Sequence, residues 1–127
     1  LDGLPGYIYK KGANEMLPKK CKILKVYIRE DAVYQGHSLY HALTKRLAEM
    51  GMAGVTVTRG IEGFGREKRI SSSRILDLSF HLPIIIEIID SPEKITEAIP
   101  EIQEMMEEGL LMTADVEVLK YGKEEIV

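Results

Sequence analysis

The sequence predicts an α+β fold: a four-stranded antiparallel sheet with two helices on one face, in the ferredoxin-like order βαββαβ. Three observations predict it. Four segments carry the apolar patterning of strands. Two carry apolar residues at helical spacing, each with terminal signals. The six alternate along the chain in that order, with polar or glycine-rich stretches between them.

The first strand is "KILKVYIR" at 22–29, where Leu24, Val26 and Ile28 alternate with Lys25, Tyr27 and Arg29. A short loop ends at Gly36, and "HSLYHALTKRLAEM" (37–50) places Leu39, Ala42, Leu43, Leu47 and Met50 on one helical face. Ser38 is its N-cap and Gly51 its C-terminal stop. "GVTVTRG" (54–60) alternates again as the second strand. "LPIIIEIID" (82–90) is apolar on both faces except at Glu87, which suits a central strand. Ser91-Pro92-Glu93 starts the second helix with a cap, a first-position proline and an acid. Ile95, Ile99, Ile102 and Met106 continue it, Pro100 is expected to kink or split it, and Gly109 to end it. "LMTADVEVLKY" (111–121) is the last strand, with Met112, Ala114, Val116 and Val118 expected on the face that meets the helices.

Both helices then cover one sheet face and leave the other open. The open face is expected to show Lys25, Tyr27, Thr56, Thr58, Ile85, Glu87, Ile89, Asp115 and Glu117. That mixture of large apolar groups with opposite charges implies contact with another subunit, three sheets around an axis being one closure.

The totals agree with a single small domain. A chain of 127 residues with 45% hydrophobic content can bury a core, though a thin one that partner subunits would reinforce. The net charge of −3 argues against general nucleic-acid binding. Charge is local instead. Residues 59–74 hold five basic against two acidic side chains, whereas 91–108 hold six glutamates against Lys94. Cys21 is the sole cysteine, which rules out an internal disulfide and matches a cytoplasmic protein. No run is long enough to span a bilayer, so membrane insertion is not expected. Residues 1–20 lack a clear period and read as an arm or a vector-derived leader ahead of a domain at 21–127.

Candidate chemistry is sparse. His37 and His41 are four apart and share a helical face, but a metal would need further ligands, of which His81 is the nearest in kind. No nucleophile motif is present, so an enzyme is not expected. "SSSR" at 71–74 reads as a solvated loop. The remaining feature is "RGIEGFGRE" at 59–67, with glycines spaced G-x-x-G-x-G. Its glycines allow backbone N–H groups to approach an anion, and Arg59 and Arg66 can add charge-assisted contacts. A glycine-rich hairpin shoulder explains the same residues. No helix follows, which excludes a dinucleotide fold of the Rossmann type.

The context of that loop carries a resemblance. "GMAGVTVTRGIEGFGRE" (51–67) resembles the segment of PII signalling proteins in which a G-M-T-V-like strand leads to a G-F-G-R turn at the base of the T-loop. One extra residue separates the two parts here. "LPIIIEIID" resembles the family's next strand. The pattern over about 22–120 is most similar to PII-like proteins of a domain-of-unknown-function branch, which open with a "KILKVYI"-like strand.

The resemblance implies a homotrimer that binds an adenine nucleotide in clefts between subunits and reports it through the 61–80 loop to a regulated protein. It places Gly63, Phe64, Gly65 and Arg66 on one cleft wall. Gly54, Val55 and Thr56 come from the adjacent subunit, with Glu87 and Ile89 nearby. One departure matters. The family's second glycine-rich segment carries a phosphate-reaching lysine, and here "MMEEGLLMTAD" (105–115) has one glycine, no lysine and two glutamates. AMP or ADP is therefore expected in preference to ATP. The T-loop tyrosine modified in some nitrogen regulators is missing too. Two other readings share the fold: a small oligomeric enzyme using the same cleft, and a metal-binding trimer of the CutA type.

Overall fold

A computed structural model describes residues 16–63, 71–72 and 82–127. Its central layer is a four-stranded sheet built from β1 (Lys20–Arg29), β4 (Gly54–Arg59), β7 (Pro83–Asp90) and β8 (Leu110–Glu117). Two helices, α1 (Leu39–Glu49) and α2 (Pro92–Met105), pack on it. Three two-residue ladders complete the described chain. They join β2 (Val33–Tyr34) to β3 (His37–Ser38), β5 (Glu62–Gly63) to β6 (Ser71–Ser72), and β9 (Lys120–Tyr121) to β10 (Glu124–Glu125). The sheet order is β4-β7-β1-β8, with every neighbour antiparallel. This is the expected βαββαβ arrangement, and the last and second strands lie at its edges.

The register explains why the core forms where it does. Leu24, Val26 and Ile28 of β1 stand opposite Ile88, Ile86 and Ile84 of β7. All six are nearly or wholly buried, together with Leu39, Leu43 and Leu47 of α1 and Ile95, Ala98 and Ile102 of α2. These are the period-2 and period-3.6 positions of the sequence, so each element buries the stripe that its pattern marks. Ahead of residue 21, Leu17 is buried and Lys20 opens β1.

The helix ends follow local chemistry. α1 closes in a Schellman arrangement: Gly51 has φ +76°, its N–H reaches Ala48 O, and Met52 N–H reaches Leu47 O. Ser38 takes the N-cap position of α1 but makes no side-chain cap bond. In α2 Ser91 does cap, accepting from Lys94 N at 3.3 Å.

Four expectations need correction. β8 is turned the other way: Leu111 pairs with Val26 and packs on the core, so Thr113 and Asp115 share the helix-side face. Met112 and Ala114, opposite Lys25 and Ile23, join the open face instead. Alternation groups residues by face without saying which face is covered. β8 also stops at Glu117, and Lys120–Tyr121 belongs to a separate hairpin.

Pro100 does not split α2, which runs unbroken to Met105. Pro100 is solvent-exposed, while Ala98 and Ile102 on either side are anchored in the core. Gly109 serves as a close-approach point rather than as the helix stop. Its φ is +141°, and a Cβ there would lie 2.6 Å from Tyr27 O.

Cys21 is buried and its thiol donates to Pro18 O at 3.0 Å. Burial first, and then the Asp90 carboxylate, push the thiol above its ordinary pKa. Alkylation by iodoacetamide at mildly alkaline pH is expected to run at least about tenfold slower in the native protein than in urea. Equal rates would place the thiol at the surface.

Candidate functional site

Three rows cross the open sheet face, and they position most of the predicted residues. The first joins Gly54, Ile89, Ile23 and Ala114; the second joins Thr56, Glu87, Lys25 and Met112; the third joins Thr58, Ile85, Tyr27 and Leu110. Only the middle row is charged, and there Lys25 Nζ lies 3.4 Å from Glu87 Oε2. The flanking rows are mainly apolar, and Met112 and Leu110 are 43% and 53% exposed. The face is thus more apolar than expected, since Asp115 has moved to the other side. There it accepts from Lys22 Nζ at 2.6 Å, a hydrogen bond that holds its carboxyl below the usual carboxylate range.

Gly54 is required by this packing. A Cβ at its position would come within 2.8 Å of Ile89 Cγ2. Val55 points the other way and packs on the helix-side core, so only its backbone is available to a ligand on the open face. Arg59 also falls on the helix side, opposite Ile84, and its Nε donates to Glu30 Oε1 at 2.9 Å. That pairing commits the guanidinium expected for an anion to a carboxylate.

At the loop end of the sheet, Gly60 N–H donates to Pro83 O at 2.8 Å, and a Cβ on Gly60 would meet Pro83 Cγ at 2.6 Å. Gly63 follows and pairs with Ser71, so part of the serine tract forms a strand rung at the loop base. Phe64, Gly65, Arg66 and His81 lie outside the described residues.

The glycine segments sit at opposite edges. Gly60 and Gly63 follow β4, and Gly109 precedes β8, at the same end of the sheet. Three strand spacings, roughly 14 Å, separate those edges within one chain.

Three contacts that the sequence reading missed hold the turn into β4. Asp90, 2% exposed, accepts Ala53 N–H at 2.9 Å and Ser91 N–H at 2.7 Å. Lys94 Nζ donates to Met50 O at 2.8 Å. Tyr121 Oη donates to Ala53 O at 3.0 Å, tying the C-terminal hairpin to the far edge strand. An aspartate closing an apolar strand just before a Ser-Pro helix start was the available signal for the first. The other two join residues 44 and 68 positions apart and left none.

The histidine pair lies elsewhere. His37 is in β3 rather than on α1, and with His41 it lines a groove of about 340 Å³ beside Tyr34, Lys45, Arg46 and Met105. Among the described residues no group of three or more His, Cys, Asp or Glu side chains is arranged to hold a metal. Nor does any described helix have the length and apolarity to cross a membrane.

An α+β protein of PII-like, ferredoxin-like architecture, with an apolar sheet face that the described residues leave uncovered and a glycine-rich loop base at one edge, is the class that these features define. Residues 21–118 match the family model described as "Uncharacterized ACR, COG1993", and the chain belongs to that family, DUF190. A UPF0166 protein of Aquifex aeolicus (strain VF5) is 38% identical over 100 residues, which are 79% of this chain and 94% of that protein.

Among solved structures, the fold is similar to that of CPII, a nitrogen regulatory PII-like protein from Thiomonas intermedia K12 bound to ADP, AMP and bicarbonate. The TM-score is 0.60 at 17% identity, over 78% of this chain and 88% of that one. It is also similar to the divalent ion tolerance protein CutA1 from Ehrlichia chaffeensis. There the TM-score is 0.54 at 12% identity, over 80% and 83% of the two chains. These likenesses show the fold.

Proposed function

We propose that the protein is a cytoplasmic, PII-like homotrimeric sensor, without catalytic activity of its own. It binds an adenine nucleotide, AMP or ADP before ATP, in clefts between subunits. Binding switches the 61–80 loop, which then engages a regulated protein. The observation that carries this reading is the open sheet face. Its two apolar rows need cover that the described residues do not supply, and a second and third sheet of the same kind would cover them.

The cleft follows from the same assembly. The loop-base glycines and the Gly109 turn stand at opposite edges of one sheet, so a small ligand that meets both must lie between chains. Gly54 and Thr56 lie on the open face of an edge strand, where a neighbour's loop can close over them. The nucleotides bound to CPII, a protein of the same fold, make adenine the first base to try. Near Gly109 the exposed Glu107 and Glu108 disfavour a long phosphate chain.

Titration calorimetry with AMP, ADP, ATP and cyclic AMP tests the reading. AMP or ADP is expected to give the tightest binding, and Arg66→Ala to weaken it by at least about tenfold with assembly unchanged. No heat from any of the four at millimolar concentration would remove the nucleotide. Unchanged affinity in the variant would remove Arg66 from the site.

A further inference from the structure

The groove beside α1 belongs to the helix layer and takes no part in the sheet-face cleft. It holds about 340 Å³, at the lower end of the size range of small-molecule sites. Tyr34, Ala42 and Met105 give it an apolar lining, while His37, His41 and Lys45 bring nitrogen groups to it.

Not every charge there is held in an ion pair. Arg46 also lines the groove, but its Nη1 donates to Glu101 Oε1 at 2.7 Å, so its charge is spent. That hydrogen bond, with a smaller contribution from Tyr34, raises the Arg46 pKa further. The side chains of His37, His41 and Lys45 have no hydrogen-bond or ion-pair partner among the described residues. Glu49, the one carboxylate among the described residues that line the groove, is a turn beyond Lys45 in the less favourable Lys-before-Glu order, and the two form no ion pair. His41 and Lys45 are one helical turn apart, about 6 Å along the axis, so one small group can meet both.

We propose that this groove binds a small organic oxyanion, a carboxylate or a phosphate monoester. The charged head meets Lys45 and the two imidazoles, and the apolar body lies against Tyr34, Ala42 and Met105. A lysine ammonium has only donors to offer, so an acceptor is the complement it lacks. A cation in the same place would face the ammonium. The site uses neither the open sheet face nor the 61–80 loop, so it does not depend on the nucleotide reading.

An amide NMR titration of the whole chain decides it, with phenyl phosphate and benzoate as probes and benzyl alcohol as the uncharged control. Millimolar phenyl phosphate or benzoate is expected to shift resonances in 33–49 and at Met105, and whichever binds names the head group. Lys45→Gln with His41→Gln, both at exposed positions, is expected to weaken binding by at least about tenfold. Calorimetric binding of ADP, a diphosphate outside that ligand class, should be unchanged in that variant. Four outcomes would overturn the site: no shifts, equal affinity in the variant, equal binding of benzyl alcohol, or shifts confined to the 54–63 edge.

Discussion

Asp90→Ala is expected to destabilise the fold by about 3 kcal/mol, a drop of roughly 10 °C in Tm. Asp90 sits in the core wall at 2% exposure and accepts two backbone N–H groups, from Ala53 and Ser91. Removing the carboxylate leaves both half-buried donors without that partner, at about 1–3 kcal/mol each, offset in part by water entering the space. Asp90→Asn keeps the shape and one acceptor, and should cost about half as much.

The consequence extends to the edge strand. Asp90 and Tyr121 hold Ala53 by its N–H and its carbonyl, immediately before Gly54. Loosening that turn moves Gly54 and Thr56, so nucleotide affinity should fall with stability in Asp90→Ala. Tyr121→Phe should lower affinity with little change in Tm. Urea unfolding and calorimetry on the same preparations check both. A loss below about 0.5 kcal/mol for Asp90→Ala would mean that Lys94 and Tyr121 hold the turn without it.

That turn marks the boundary of what the sequence could reveal. Strands β1 and β4 were legible because Leu24 and Val57 each lie in a local alternation, and a two-residue period survives any tertiary arrangement; β7 was legible because Ile86 lies in a short continuous apolar run bounded by Pro83 and Ser91-Pro92. The turn at Gly51 was legible for a similar reason, since a glycine after a helix is a local backbone requirement. The face of β8 was not. Met112 and Leu111 are neighbours in one alternating strand, and only the pairing of Leu111 with Val26 shows which of them meets the core. Because β8 is an edge strand beside a face that the described residues leave uncovered, its more apolar side turned out to be the open one.

The β2–β3 ladder was also invisible. It is two residues long on each side, and its turn uses Gln35 at φ +50°, a residue that carries no turn preference. That ladder moved His37 off α1 and placed it at the groove mouth. The loop glycines were legible as a motif, but their distance from Gly109 required the strand order.

Met112→Glu is expected to convert the assembly to single chains while leaving the chain folded. Met112 stands opposite Lys25, which already approaches Glu87. In a lone chain the new carboxylate would gain the same lysine at a solvated surface, so the change in monomer stability should be within about 1 kcal/mol. In an assembly that covers the open face, the same carboxylate is taken out of water. Lys25 cannot neutralise two acids, and an uncompensated buried charge costs several kcal/mol in each subunit. The wild-type protein should therefore sediment at three times its 14.3 kDa chain mass, and Met112→Glu at the chain mass itself. Lys25→Met combined with Glu87→Leu removes both charges of the row and should leave the trimer intact. If Met112→Glu remained a trimer, the open face would not be the contact surface. If it became monomeric and still bound AMP or ADP at wild-type affinity, the nucleotide would lie within one chain, and the argument from the separated glycine segments would fail.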